Sequence, residues 1–460
     1  MNLGRFALIG ALMLPAAASY TQTPGDGWYT EGDFSPAKRV KLTFVNTLDI
    51  ARKDIPITIP AASLPVTNIA DRYLTVVDPT LPGKPEPTRE ELAVAGGYLE
   101  RKETNGHFLE YQMDDVDKDG VWDELFFMID MKPRETKSIY LYIGESERGL
   151  YPHKTHAGMG YYGRHTVPFW EAEYIGWKLW YPTDVDMHGK REPMLTAYPE
   201  YTRNLSGYFM PPKYGTDIMT VSNTFGDGGI CLFENPALPD SISRPRFSPT
   251  AGTGSFTDTR FAFDVVYNGP LRSAIRVRTM NWNTGKGQYE LEQFYTACAH
   301  KSYSTCRVAF KKFLNTEPET RFGCGIREIM NQYDSYQKGG LVVSFGKGVV
   351  VRAPNNDIGE KGVILDFEGI ALAVKDIYKP EYRNIKSKTF GNNHVMQIPL
   401  NPERSYEYMI AGAWNEGAVN KTAEEFKQYM ITAAQEYNNP PVIKGITLGQ
   451  KQGEKTGKTE

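Results

Sequence analysis

The sequence predicts an all-β protein made of two sandwiches, and three features carry that prediction. Tyr (28) outnumbers Phe (22), and Gly (43) and Pro (30) are frequent, a balance that favours strands and turns over helix bundles. Most apolar segments are short and alternate with polar residues, as antiparallel strands do. At 460 residues the chain also exceeds what a single core usually supports, so two domains are expected. An apolar content of 40% excludes a disordered chain. With 52 Lys and Arg against 55 Asp and Glu, the net charge of −3 gives no basic field for nucleic acid.

Residues 1–19 read as a signal peptide rather than as structure. Arg5 gives the positive start, Phe6 to Leu14 an apolar run too short to span a bilayer, and Ala16 to Ala18 the small residues of a cleavage site. No Cys follows to accept a lipid, and no later stretch of about 20 apolar residues offers a membrane span. A soluble exported protein, periplasmic or secreted, is expected. Residues 36–147 carry the strand-like runs VKLTFVN, IPITIP, RYLTVVD, HFLEYQM, WDELFFMID and SIYLYIG, which predict a small N-terminal β-sandwich. Residues 158–440 continue the alternation in GWKLWYP, TRFAFDVVY, SAIRVRTMNW and GLVVSFGKGVVVRA, predicting a large two-sheet antiparallel sandwich of the mutarotase-like super-sandwich kind. One C-terminal helix is signalled, where Thr422 caps a segment with Phe426, Tyr429, Met430 and Ala433 at helical spacing and Pro440-Pro441 ends it. Residues 446–460 read as a disordered tail. Of four Cys, Cys298 and Cys306 are eight apart, a spacing a hairpin can bridge; free buried thiols are the alternative.

The sharpest local motif is DDVDKDGVWDE. Asp115, Asp117 and Asp119 alternate before Gly120, with Asp123 beyond, a pattern that lets the chain wrap a hard cation in oxygen ligands. Position twelve of the loop is Phe126 rather than Glu, and a strand follows, so an EF-hand is excluded. One structural calcium ion or a solvated acidic turn are the two readings. A second constellation holds four of the seven His (His153, His156, His165, His188) in 36 residues and eight aromatics between Tyr161 and Tyr181. Arg164, Trp170, Glu171, Glu173, Asp184, Asp186, Lys190 and Arg191 stand among or just after them. Aromatic platforms beside titratable His, carboxylate and guanidinium groups suit a carbohydrate site, whereas buried strand aromatics are the plainer explanation. A nucleophile elbow, HExxH, CxxC and a phosphate loop are all absent from the sequence, so no organic cofactor is expected.

Over nearly all of its length after the signal segment, the chain resembles the family termed domain of unknown function 4861, found among exported proteins of polysaccharide-degrading bacteria. The resemblance rests on DVDKDGVWDELFF, on Tyr161 to Pro182, on DMHGKREPML, on Tyr214 to Glu234 with its FGDGG turn, and on YNGPLRSAIRVRTMNW. It implies carbohydrate processing, and dehydration of a terminal uronate in ulvan-type oligosaccharides is an activity associated with similar proteins. Abstracting the C5 proton of a uronate needs a base, a cation on the carboxylate and an acid for the leaving oxygen. His165 or His188 are the expected proton-transfer groups, with Glu171 and Asp217 orienting them. Arg164, Lys190 and Arg191 are the expected carboxylate binders, Trp170 a platform, Lys213 a further substrate contact, and Tyr162 and Tyr208 substrate contacts or substitute bases. Two alternatives stay open: a glycoside hydrolase using two of Glu171, Glu173, Asp184, Asp186 and Asp217, and a non-catalytic oligosaccharide-binding protein. The expected partner is an oligosaccharide bearing uronate or sulfate, with no membrane span; the oligomeric state is left open.

Overall fold

The computed structural model describes residues 39–66, 68–69, 72–81, 107–144, 151–162, 165–181, 184–197, 214–221, 223–235, 237–238, 240–245, 259–350 and 363–449. The expected signal peptide and residues 450–460 lie outside them. Strands β1 (Arg39–Val45), β2 (Arg52–Pro60), β3 (Tyr73–Asp78), β4 (His107–Leu109), β5 (Tyr111–Asp114), β6 (Glu124–Met131) and β7 (Thr136–Gly144) belong to the first domain. The second contains β8 (Thr155–Tyr162), β9 (His165–Ala172), β10 (Ile175–Tyr181), β11 (Asp184–Lys190), β12 (Gly215–Asp217), β13 (Asp227–Phe233), β14 (Arg260–Asn268), β15 (Arg272–Asn283) and β16 (Gly287–Cys298). It continues through β17 (Tyr303–Asn315), β18 (Arg321–Arg327), β19 (Gln332–Lys338), β20 (Leu341–Gly346), β21 (Val349–Val350), β22 (Val363–Ile364), β23 (Glu368–Val374), β24 (Glu381–Ser387), β25 (Gly391–Pro399) and β26 (Ser405–Trp414). Helix α1 (Ala423–Asn438) and strand β27 (Val442–Leu448) are the last elements among the described residues. The fold is mostly antiparallel β, with a single α-helix among the described residues.

Alternation builds the first sandwich. Val40, Leu42 and Phe44 of β1 point inward against Ile55, Ile57 and Ile59 of β2 and Phe127 of β6, while Lys41 and Thr43 face away. Its sheets run β27-β1-β7-β3-β4 and β2-β6-β5. Strand β27 therefore returns from the far end of the chain to pair with β1, from Val40 opposite Leu448 to Val45 opposite Val442. Residues 446–448, expected in the tail, are part of this strand, because Ile446 packs on the first core where a disordered segment would leave β1 as an open edge.

The large domain is a sandwich, but its second layer is divided. An eight-stranded sheet, β14-β15-β16-β17-β26-β23-β20-β19, faces a five-stranded sheet β12-β11-β10-β9-β8 and a four-stranded sheet β13-β18-β25-β24. A parallel bridge between Val185 and Gly226 joins the last two. Gly226 has φ +60, and a Cβ there would lie 2.1 Å from the Val185 carbonyl oxygen, so the FGDGG turn is what lets the two sheets meet. Helix α1 starts as expected, with Thr422 accepting from the Glu425 N–H at 3.3 Å, and buries Phe426, Met430, Ala433 and Ala434 on the outer face of the eight-stranded sheet. The four Cys are free and buried. Register explains why Cys298 and Cys306 do not bridge: Cys306 lies opposite Tyr295 and Cys298 opposite Arg272, which separates the two thiols along the pair of strands.

The domains are bolted together by Arg272. Its guanidinium donates to Asp114 and Glu124, both at 2.7 Å, and to Thr58 at 3.2 Å. It also stacks on Phe126 and Tyr267 at 4.6 and 4.4 Å. Gln112 adds a second clasp, accepting from the Leu271 and Arg272 N–H groups at 3.0 Å each.

Candidate active site

Strand alternation sorts the five-stranded sheet into two chemically opposite faces. Trp170, Trp177, Leu179, Val185 and Met187 enter the core against the eight-stranded sheet. Glu171, Lys178, Asp186, His188 and Lys190 take the other face. Cross-strand register then sets His188 opposite Asp217 and Gly176, and Lys178 opposite Asp186. Gly176 leaves room for this crowding, since its hypothetical Cβ already lies 3.3 Å from Glu171 and 3.8 Å from His188.

All five side chains, and Asp217, are buried, so each charge needs a partner. The Lys178 ammonium lies 3.2 Å from Asp186 and 3.3 Å from Asp217. Donor atoms of Asp186, His188 and Asp217 all fall within 4.8 Å of one another, a set able to hold a metal ion. Lys178 already supplies a positive charge to both carboxylates of that set, so an entering divalent ion would compete with it. Burial raises the Asp186 carboxyl well above its ordinary range and nearby Asp217 adds to this, against Lys178. Burial also lowers His188 to about 3, helped by Lys178 and opposed by Asp217 and Glu171. The strand therefore offers, two residues apart, an imidazole that is neutral at pH 7 and a carboxyl that holds its proton more tightly than an exposed one.

Glu171 and Lys190 form a second, adjoining cluster. The Lys190 ammonium donates to Glu171, to the Ala172 carbonyl and to the Met194 carbonyl at 2.9 Å. Glu171 accepts from the Thr196 and Ala197 N–H groups, both at 2.9 Å, and lies 3.4 Å from His156. Burial would raise this carboxyl, but Lys190, His156 and the Thr196 N–H outweigh it and hold it at about 2. Glu171 thus fastens the segment Arg191–Ala197 over the sheet. Beneath it, Phe169, Glu171, His188, Thr196 and Ala197 border a cavity of about 10 Å³, room for one water.

The structure redistributes several expected roles. Trp170 is no sugar platform: it is fully buried, stacks on Trp177 and Tyr295 and donates to Ser304 at 2.8 Å. Adjacent strand residues point to opposite faces, so Trp170 and Glu171 cannot share a site. Lys190 spends its three donors on protein oxygens and has none for a substrate carboxylate. Arg191 pairs with Glu416 and stacks over Trp414 at 5.0 Å. Arg164, Tyr208 and Lys213 lie outside the described residues, as do the side chains of Tyr162 and His165.

Sequence reasoning missed Lys178 and two carboxyls behind the sheet. Glu368 is pushed up to about 8 by burial, opposed by Arg327 and reinforced by Asp217 and Asp186. Asp227 accepts from the Trp177 indole at 3.0 Å and is likewise raised by burial. A lone Lys inside the aromatic run GWKLWYP was the available signal for Lys178, because a strand cannot expose one face of such a run and bury the charge without a partner.

The model of the family described as "Domain of unknown function (DUF4861)" matches residues 45–443. The chain belongs to this family. No curated protein matches its sequence. Among solved structures it is similar to a glycosyl hydrolase family 38 protein from Enterococcus faecalis, with TM-score 0.44 and 10% identity over 90% of this chain and 48% of that one. An alpha-mannosidase from Enterococcus faecalis V583 has TM-score 0.44 and 12% identity over 90% of this chain and 46% of that one. The chain spans about half the length of these structures.

In this family member the acidic loop brings together oxygens of Asp115, Asp117 and Asp123 within 4.8 Å of one another. Asp119 stands apart from that group; its carboxylate accepts from the Val121 N–H at 2.8 Å. The loop is also stitched by its own amides, with Asp115 accepting from Lys118 and Gly120 and Asp123 from Val116. Each carboxylate keeps lone pairs for a cation beyond these bonds.

Proposed function

We propose that this protein is a carbohydrate-processing enzyme that acts on uronate-bearing oligosaccharides by elimination. The base removes the C5 proton, the C–H electrons form the C4=C5 double bond, and the C4–O bond breaks as an acid protonates the departing oxygen. His188 is the base and Asp186 the acid. The observation that carries this reading is their placement two residues apart on one face of β11, beside Asp217 and Lys178. Asp217 and Glu171 are the groups that stabilise the imidazolium once it forms. His188 is 4% exposed, so a sugar reaches it only when the segment fastened by Glu171 lifts.

The hydrolase reading requires two carboxylates flanking a glycosidic bond, about 5 Å apart or more. Asp186 and Asp217 instead both close on the Lys178 ammonium, at 3.2 and 3.3 Å, which ties this pair to a protein charge rather than to a glycosidic bond. Product mass decides among the alternatives. The full chain is incubated with oligosaccharides ending in a uronate, and elimination gives either one product lighter by a water or two fragments with no water gained. His188→Asn is expected to lower turnover by about 10²–10⁴-fold with little change in KM. Fragments that have gained water, or full turnover by His188→Asn, reject the assignment.

A further inference from the structure

The outer face of the eight-stranded sheet is covered at one end by α1 and at the other by the first sandwich. Between them lies a cavity of about 470 Å³, within the range of small-ligand sites and at a domain boundary, where such sites concentrate. Pro440 and Pro441, on the link from α1 to β27, form part of its wall. The acid–base cluster described above stands on the far side of the five-stranded sheet, two layers away.

Strand β17 presents Tyr303, Thr305 and Arg307 to this cavity from alternate positions, a row of about 13 Å at strand rise. The neighbouring charges are already matched: Lys375 pairs with Glu407, Arg52 with Glu436, and Arg272 with Asp114 and Glu124. Arg307 is different. Its cross-strand neighbour Glu407 is taken by Lys375, and its guanidinium rests 4.4 Å over the Phe294 ring with no hydrogen bond or ion pair to any described residue. The exposed guanidinium thus keeps its donor fork open, oriented by the ring beneath it. The Tyr303 hydroxyl, at the other end of the row, also has no hydrogen-bond partner among the described residues.

We propose that this cavity is a separate binding site for an acidic sugar of one or two rings, with Arg307 holding its carboxylate in a bidentate pair and Thr305 and Tyr303 binding its hydroxyls. A guanidinium stacked on an aromatic ring matches a planar carboxylate, and the hydroxyl row suits a polyol rather than an apolar acid. The assignment does not depend on the elimination chemistry.

Calorimetric titration of the full chain with glucuronic, galacturonic and cellobiouronic acids, and with neutral cellobiose, tests it. At least one acid is expected to bind ten-fold or more tightly than cellobiose. Arg307→Gln should weaken that acid at least ten-fold and Tyr303→Phe several-fold, while both variants keep wild-type turnover. Absence of binding by all three acids overturns the proposal, as does wild-type affinity in both variants. If binding and turnover fall together in Arg307→Gln, the cavity is the reacting site, which refutes a separate site and the His188 assignment alike.

Discussion

Replacing Glu171 with Gln tests the most heavily used side chain of the candidate site. The substitution keeps the shape and removes the charge, so the buried Lys190 ammonium is left with two carbonyls and an amide oxygen. Breaking a buried pair by removing one partner costs about 3–5 kcal/mol. The protonation behaviour gives an independent figure. A carboxyl lowered from 4.5 to about 2 contributes about 3 kcal/mol, at roughly 1.4 kcal/mol per pH unit. The folded state binds this proton more weakly than the unfolded state, so the contribution is complete above pH 4.5 and disappears as pH falls towards 2. Urea unfolding of wild type and Glu171→Gln between pH 2 and 7 should therefore show a gap of about 3 kcal/mol at neutral pH that closes on acidification. A gap below about 1 kcal/mol at pH 7, or one that stays constant with pH, would refute the view of Glu171 as an ionised clasp.

Arg272→Met should cost about 3–5 kcal/mol, because Asp114 is left buried without its partner, and adding Asp114→Asn should recover part of the loss in calorimetry. Glu368, neutral in the folded state up to about pH 8, makes wild type lose stability as pH rises from 4.5 to 8; Glu368→Gln should flatten that segment of the melting-temperature profile. The buried thiols, with Cys298 pushed up to about 11 and Cys306 to about 12 by burial, should resist iodoacetamide in the native protein and react fully in urea; fast native labelling would contradict their placement. If Asp115, Asp117 and Asp123 hold a calcium ion, added calcium should raise and a chelator lower the unfolding temperature of the first domain, whereas Asp117→Asn should abolish that response.

Much of this architecture is legible in single strands. The runs around Val40, Ile57 and Phe127 alternate cleanly because one face is buried, and the capped helix beginning at Ala423 follows from Thr422 and its apolar spacing. Glu171, His188, Lys190 and Asp217 stood out as titratable groups in aromatic surroundings, and the fold brings them to one face. The place of Trp170 does not follow from that of Glu171 beside it, because a one-residue step along a strand reverses the side chain and sends Trp170 into the core. The partners of Lys178 and the roles of Glu368 and Asp227 were illegible for a different reason. Their meaning depends on which strands become neighbours, and register between β10, β11 and β12 is a property of the assembled sheet. The same holds for Cys298 and Cys306, whose separation in sequence says nothing about which residues they oppose.

Pairing of β27 with β1 has a consequence for the order in which the polypeptide matures. A ribosome delivers β1 early, yet its outer neighbour comes from residues 442–448, almost four hundred positions later. Throughout that interval the row of amides and carbonyls along Val40 to Val45 has no mate, and such an edge invites pairing with another chain. Of the two sandwiches, the first is thus begun before the other and finished after it. Cleavage in the link at Pro440-Pro441 would return it to that unfinished condition while leaving the large sandwich and its helix intact. Limited proteolysis at this one spot should release no domain, but should make the nicked protein self-associate through β1 more than the uncut chain does.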